Sequence, residues 1–247
     1  MTVGRFQPFT QGHLNMVNEG EGPCIIYQIK PAKMPNSIAD LKIKGKKAKK
    51  EQIQKVLKFL NHEDVKLTED EKELLKRPFT NELVEKELEL IQKSNPNIVD
   101  VVYVKNVFDA LDRFNAFCTE QGDEYEPQYW MCGDDRVDNY TELIDKYPEL
   151  ETELGNKQII PNILKGRLKT NTGKGRTEGV SGTAVRASII NDDKDAFAKI
   201  MPKGVEKMFD EFKQAFAEYK GILEGIIKEW KMLSLKDYIF ENYDNIQ

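Results

Sequence analysis

The residues best suited to chemistry lie near the start of the chain, in the decapeptide GRFQPFTQGH at residues 4–13. Arg5 and His13 carry N–H groups that donate hydrogen bonds to phosphate oxygens. Gly4 lets the backbone turn after a short apolar strand, and Gly12 opens a helix whose free N–H groups and positive dipole end attract an anion. The decapeptide therefore predicts a phosphate-binding turn, although Gly12-His13 alone is more typical of an ordinary turn.

A second short motif, SGTAVR at residues 181–186, has the same chemical character. Ser181 is a good N-cap, and Gly182 and Thr183 leave their N–H groups free in the first helical turn. Arg186 follows one turn later on the same face. The motif predicts a second anion-binding helix terminus, and on its own it would also fit an ordinary capped helix with an exposed arginine.

Together the two motifs resemble the G-R-F-x-P-x-x-x-G-H and S-[SG]-T-x-x-R signatures of one nucleotidyltransferase superfamily. It is named for its H-x-G-H tetrad and is also called cytidylyltransferase-like. Thr10 stands at the first histidine position of the tetrad, as it does in some members. Members of this superfamily transfer AMP or CMP from a nucleoside triphosphate to a phosphate or phosphate-like acceptor, so the resemblance implies that reaction here.

Two further stretches are similar to archaeal-type nicotinamide-nucleotide adenylyltransferases. They are residues 187–212, directly after the second motif, and the RPFT segment at residues 77–80. The similarity weakens just beyond that segment, because Leu83 and Val84 stand where the subfamily has Glu-Arg. Several relatives with the SGTxVR form and a basic loop before it come from large bacteriophages, which suggests a bacteriophage source.

The resemblance implies an in-line attack of the acceptor phosphate on the α-phosphorus of the triphosphate, with pyrophosphate as the leaving group. His13 and Thr10 would act at the reacting phosphates, and Thr183 and Arg186 would hold the departing ones. The implied nucleotide and substrate contacts are Gly4, Arg5, Phe6, Gln7, Gly12, Gly133, Asp134, Arg136, Ser181 and Gly182. Asp134 would hold either ribose hydroxyls or a hydrated metal ion. Mg²⁺ is expected mainly through the triphosphate, and no metal site built by the chain itself is predicted.

The preferred interpretation is transfer of AMP from ATP to nicotinamide mononucleotide, which yields NAD and pyrophosphate. Two alternatives stay open because no residue is obliged to stack on a pyridine ring. One is cytidylyl or adenylyl transfer to another small phosphate acceptor. The other is a non-catalytic nucleotide-binding or structural protein of the same fold, favoured by the missing arginine at Val84.

The alternation of apolar runs and amphipathic stretches predicts an α/β fold, a Rossmann-like open parallel sheet of five strands with helices on both faces. The predicted strands are residues 1–4, 23–29, 98–104, 129–132 and 157–163, and the predicted helices are residues 80–93, 107–121 and 140–147. Ligands bind outside the carboxyl ends of the strands in such sheets. Both motifs fit that rule, and so does Gly133-Asp134-Asp135-Arg136 after the fourth strand.

The predicted nucleotidyltransferase domain comprises residues 1–218, with an insertion at about residues 31–77. A helical extension, residues 219–247, either packs on the core or forms an oligomer contact. Within the insertion, the lysine-rich residues 42–50 are interpreted as a solvated face that leads into an amphipathic helix. A second basic stretch, residues 165–176, is either a cationic lid over the triphosphate or a generic flexible loop.

The composition limits the classes of protein to consider. The 247 residues include 32% charged and 39% hydrophobic side chains, as in a globular protein, and the formal net charge of −5 gives no case for nucleic-acid binding. The absence of a signal peptide and of an apolar run of about twenty residues predicts a cytoplasmic protein, or one of the host cytoplasm if viral. Small-molecule substrates are the expected partners, a membrane partner is not expected, and a homo-oligomer stays open. Cys24, Cys118 and Cys132 are predicted as reduced core thiols, and His62 as a surface residue.

Overall fold

The protein is described by a computed structural model over residues 1–20, 22–30, 34–35, 38–121, 128–153, 164, 167–172 and 179–242, without the side chains of 147–153, 172 and 233–242. The strands are β1 (Thr2–Gly4), β2 (Cys24–Ile29), β3 (Lys42–Ile43), β4 (Lys46–Lys47), β5 (Ile98–Val104), β6 (Gln128–Cys132) and β7 (Leu168–Thr172). The α-helices are α1 (Gln11–Asn18), α2 (Lys50–Leu60), α3 (Glu69–Lys72), α4 (Asn81–Ser94), α5 (Val107–Gln121), α6 (Val137–Glu153), α7 (Gly182–Ile190), α8 (Lys194–Ile200) and α9 (Phe209–Asn242). Short 3-10 helices cover Ile38–Asp40, Glu73–Leu75, Asp134–Arg136 and Val205–Met208.

The main sheet is parallel and has the strand order β1-β2-β5. Strand β2 lies in the centre, with Thr2 of β1 opposite Ile26 and Cys24 opposite Ile98 of β5. The described residues thus place three strands in this sheet, and the prediction of five was wrong in that number. Parallel pairing and the α/β class are confirmed.

The other parallel pair, β6 and β7, flanks β1 without joining its ladder. The Met131 backbone N–H donates to the Met1 carbonyl at 2.8 Å, and the Thr2 hydroxyl donates to the Met131 carbonyl at 3.0 Å. Because β1 has only three residues, it offers this neighbour isolated hydrogen bonds rather than a continuous ladder.

Strand β7 lies where the sequence predicts a basic loop, so that prediction was wrong for Leu168–Thr172. The pentapeptide LKTNT has a single apolar residue and therefore carries no strand pattern of its own. Its pairing with β6 across five registered positions supplies the structure that the local sequence does not indicate. The strand predicted at residues 157–163 lies outside the described residues.

Helices cover both faces of β2, as predicted, because its successive side chains point to opposite sides. Cys24 and Ile26 join a core formed with α1, α4, α7, α8 and α9. Ile25 and Tyr27 join a second core formed with α5, α6 and β6. A parallel strand buried on both faces reads as a continuous apolar run, which is why β2 was predictable from sequence.

The insertion folds onto the first of these cores. Helix α2 confirms the predicted amphipathic helix, with Ile53, Val56 and Leu60 buried. The lysines at positions 42, 44, 46 and 47 lie exposed on the β3–β4 hairpin. Its turn residues, Lys44 and Gly45, both have positive φ, at 49° and 78°, as a two-residue hairpin turn requires.

The C-terminal helix α9 also packs on the first core, through side chains from Phe209 to Ile227. This confirms the core-packing alternative for that part of the helix. The domain division at residue 218 stays a prediction, and it falls inside this continuous helix. Cys24, Cys118 and Cys132 are buried and free, as predicted. Within the described residues, we find no helix with the length and apolar character needed to cross a membrane.

Candidate active site

The first motif forms a tight turn between β1 and α1. Phe6 has a φ of 35°, a region that L-residues seldom adopt, and its ring folds back over Gly4. A Cβ atom on Gly4 would come within 2.6 Å of that ring. The glycine is therefore required by the packing of Phe6, which is itself buried. Contact of either residue with a nucleotide stays a prediction.

His13 is held by the residue that precedes α1. Its Nδ1 atom accepts the Thr10 backbone N–H at 2.9 Å and lies 3.0 Å from the Thr10 hydroxyl. Because Nδ1 accepts, the neutral ring carries its proton on Nε2. The rings of Phe6 and Phe9 pack against the imidazole at centroid distances of 5.1 and 5.2 Å.

Burial among these groups lowers the pKa of His13 to about 4. The imidazole is therefore neutral at pH 7, because desolvation disfavours its charged form. A neutral ring with a fixed tautomer offers one N–H donor, at Nε2. No described residue accepts a hydrogen bond from that atom. The geometry suits donation to an external anion.

The second motif caps α7 as predicted. The Ser181 hydroxyl accepts the Ala184 N–H at 3.1 Å, which defines the first turn of the helix. One guanidinium nitrogen of Arg186 donates to the Thr183 hydroxyl at 3.1 Å. Burial lowers the pKa of Arg186 to about 10, so the side chain is still a cation at pH 7.

The two motifs meet at a single hydrogen bond. The Arg186 Nη1 donates to the carbonyl oxygen of Gln7 at 2.9 Å, across 179 positions of sequence. Gly182 also lies against this carbonyl, since a Cβ atom there would come within 3.2 Å of the Gln7 oxygen. The small residue at position 182 thus allows the start of α7 to approach the first motif.

The side chain of Gln7 has a structural partner of its own. Its amide donates to the Phe79 carbonyl and accepts the Phe79 N–H, both at 3.2 Å, in a buried environment. The RPFT segment is therefore attached to the first motif through Phe79. Because these bonds engage both ends of the Gln7 amide, the predicted substrate contact of that side chain is not visible in the geometry.

The third predicted segment follows β6. Asp134–Arg136 forms a 3-10 helix with exposed side chains, and the Arg136 Nε lies 3.6 Å from the Asp135 carboxylate. Burial raises the pKa of the Tyr140 hydroxyl, whereas the positive charges of Arg136 and Arg5 act on it in the opposite direction. The two arginines, from different motifs, thus both lie near enough to Tyr140 for their charges to act on its hydroxyl.

Two buried polar residues of the site escaped the sequence interpretation. Glu87 accepts the Phe9 N–H at 3.0 Å through Oε1, and Gln28 donates to the Arg5 carbonyl at 2.9 Å. Both signals were present in the sequence, because Glu87 falls on the apolar stripe of α4 and Gln28 falls near the end of an apolar strand. A polar side chain on an apolar stripe is worth attention because its burial must be compensated.

The groups gathered at the two motifs are mainly hydrogen-bond donors. They comprise the neutral His13, the cationic Arg186 and the N-termini of α1 and α7, a set that matches an anion with several oxygens. Among the described residues, no group of three or more His, Cys, Asp or Glu side chains could hold a metal ion. A groove of about 660 Å³ between α2 and α9 contains none of the motif residues in its lining. Comparison of the chain with protein-family models, curated proteins and solved structures finds no match.

Proposed function

We propose that the protein is a nucleotidyltransferase that transfers AMP from ATP to a phosphorylated acceptor, with nicotinamide mononucleotide as the preferred acceptor. The observation that carries this proposal is the hydrogen bond from Arg186 to the Gln7 carbonyl. It joins two motifs that resemble the two signatures of one nucleotidyltransferase superfamily. The same contact ties the N-terminal turn of α7 to the turn that precedes α1.

The order of the strands supports a Rossmann-like architecture. The parallel sheet has the order β5-β2-β1, and the separate β6–β7 pair adjoins β1 through the Met131–Met1 hydrogen bond. The helix that follows β1 packs on one core, and the helix that follows β6 packs on the other. Connections that diverge in this way create the crevice where open α/β sheets bind their ligands.

In the proposed mechanism, the protein aligns the reactants and stabilises charge on the phosphoryl oxygens. The His13 Nε2–H donates to an oxygen of the reacting phosphate, and Thr10 keeps the ring in the required tautomer. Arg186 and Thr183 bind the leaving pyrophosphate, and Arg5 lies toward the acceptor. The acceptor oxygen forms a bond to the α-phosphorus as the bond to the β-phosphate oxygen breaks, so no covalent enzyme intermediate is needed.

Magnesium is expected to arrive with the triphosphate. The exposed carboxylate of Asp134, beyond the end of β6, is the kind of oxygen donor that Mg²⁺ takes alongside phosphates and water. When bound, the ion would offset the negative charge of the phosphate oxygens.

A second candidate function is nucleotide binding without turnover. Val84, at the position where the similar adenylyltransferases have an arginine, is almost completely buried in the first core. The position therefore serves packing, and any task of that arginine must fall to another residue or be absent. Cytidylyl or adenylyl transfer to a different small phosphate acceptor is the alternative within the same reaction class.

The deciding experiment measures pyrophosphate release over a matrix of nucleoside triphosphates and phosphorylated acceptors, together with ATP binding by calorimetry. We expect turnover with ATP and nicotinamide mononucleotide, and a loss of about 10²–10³ in kcat for His13→Ala. His62→Ala is the matched control, because it removes the other histidine and should leave kcat unchanged. Turnover with another pair would replace the acceptor or the nucleotide, and ATP binding without any turnover would favour the second candidate.

A further inference from the structure

A carboxylic acid lies buried beneath the first motif. Glu87 has no exposed surface and belongs to the apolar face of α4, beside Leu88 and Ile91. Its Oε1 atom accepts the Phe9 N–H at 3.0 Å, whereas Oε2 has no hydrogen-bond partner among the described residues. Burial raises the pKa of this carboxyl well above its usual value, because desolvation disfavours the charged form.

The hydrogen bond between the Phe9 N–H and Glu87 is adjacent in sequence to the contacts that hold His13. Phe9 precedes Thr10, whose N–H donates to His13 Nδ1 at 2.9 Å. The Phe9 ring packs against the imidazole at 5.2 Å and is completely buried. A hydrogen bond that fixes the Phe9 amide therefore restricts both the peptide that sets the tautomer of His13 and a ring that covers it.

We propose that Glu87 is a positioning residue, whose side-chain oxygen accepts the Phe9 N–H and thereby holds His13 in a single ring orientation and tautomer. Its meaning for catalysis rests on the proposed function, but its effect on His13 does not. The residue type fits the task, because a longer side chain is needed to reach from α4 to the turn and an apolar residue would leave a buried N–H unpaired.

The proposal depends on the side-chain oxygen of Glu87 as a hydrogen-bond acceptor and not on its being a carboxylic acid. Glu87→Gln keeps an oxygen at the same reach, whereas Glu87→Met keeps the length and removes the acceptor. Leu88→Ala is the matched control, since it opens a cavity at the neighbouring, fully buried position of the same helix without touching the hydrogen bond.

The readout is the ¹⁵N spectrum of the histidine rings at pH 7. The chain has only two histidines, so the spectrum of His62→Gln assigns the remaining signals to His13. We expect one Nε2-protonated tautomer in the wild type, in Glu87→Gln and in Leu88→Ala, and a mixture of tautomers in Glu87→Met. Loss of the single tautomer in Leu88→Ala as well, or in Glu87→Gln, would overturn the proposal.

Amide exchange keeps the test decisive if Glu87→Met fails to fold. The Phe9 N–H should be protected in the wild type and in Glu87→Gln, and its exchange should accelerate by about tenfold or more in any folded variant without the acceptor. Exchange of this amide in the wild type at the rate of an exposed group would refute the role of Glu87.

The activity assay separates this inference from the proposed function. If the wild type catalyses nucleotidyl transfer, Glu87→Met should lower kcat by about tenfold or more with a smaller change in nucleotide KM, and Glu87→Gln should stay within about threefold. If the wild type shows no turnover, the proposed function fails while the histidine spectra still decide the role of Glu87.

Discussion

Acid should weaken the fold through the neutral His13, and a His13→Asn variant should lose that sensitivity. Burial lowers the pKa of the imidazole from 6.5 to about 4. The folded protein thus binds fewer protons than the unfolded chain between these values, so acidification favours unfolding. The stabilisation from this group is complete above about pH 6.5 and is lost as the pH falls through 4. Between pH 7 and pH 5, the difference corresponds to about 2 kcal/mol of unfolding free energy.

Asparagine is chosen because its side-chain oxygen can accept the Thr10 N–H in place of Nδ1 and does not titrate. Urea unfolding of both proteins at pH 7 and pH 5 can be followed by tryptophan fluorescence, to which the fully buried Trp130 contributes. We expect the unfolding free energy of the wild type to fall by about 2 kcal/mol more than that of the variant between pH 7 and pH 5. The change in unfolding free energy of the wild type alone does not isolate the effect of His13, because Glu87 shifts the pH dependence of stability in the opposite direction.

For Glu87, burial raises the pKa, so its contribution to stability is fully present below its unfolded value and is lost as the pH rises. The comparison with His13→Asn removes this second contribution because both proteins carry Glu87. An NMR titration gives the direct check, since the His13 ring should change charge near pH 4. A midpoint near 6.5, or equal pH dependence of the two proteins, would refute the assignment of a partly buried imidazole that is neutral at pH 7.

Substitutions at three further positions test the packing of the motifs. Gly4→Ala should lower the unfolding free energy by about 1–3 kcal/mol, because the new methyl group meets the Phe6 ring, and unchanged urea stability would contradict this. Arg186→Met should cost about 1.5–3 kcal/mol through the lost bond to the Gln7 carbonyl, and Arg186→Lys should recover only part of it. Thermal unfolding at equal midpoints for arginine and lysine would argue against that bond. Gln7→Ala should cost about 2 kcal/mol or more, because both Phe79 backbone groups lose their partner, and hydrogen exchange at Phe79 should rise with it.

Local sequence was sufficient for elements with a strong periodic pattern. The structure gives β5 and α5 the predicted bounds, and α4 differs from its prediction by one residue at each end. Local sequence was insufficient where pairing with a distant strand decides the conformation, as in β7. It was also insufficient where an element is only two residues long, as in β3 and β4. The number of strands in the main sheet depends on whether β1 and β6 form a continuous hydrogen-bonded ladder, and no local sequence pattern indicates this.

The candidate site shows the same division between local and distant information. The helix cap at Ser181 follows from residue types at fixed spacing and is confirmed. The helix predicted to open at Gly12 begins one residue earlier, at Gln11. Sequence chemistry predicts donors at His13 and Arg186, but it cannot show that Arg186 reaches Gln7. It also cannot show that the Gln7 side chain forms its hydrogen bonds with Phe79, because these contacts depend on the packing of segments far apart in the chain.

The hydrogen bond between Arg186 and Gln7 also sets the order in which the site can form. It closes a loop of 179 residues, a contact of high sequence separation whose closure entropy must be offset by structure formed earlier. At a synthesis rate of 5–20 residues per second, roughly 10–40 s separate the appearance of the two partners on the ribosome. During that interval the first motif exists without its partner. The candidate site therefore cannot be complete until Arg186 has been synthesised, long after the residues of the first motif.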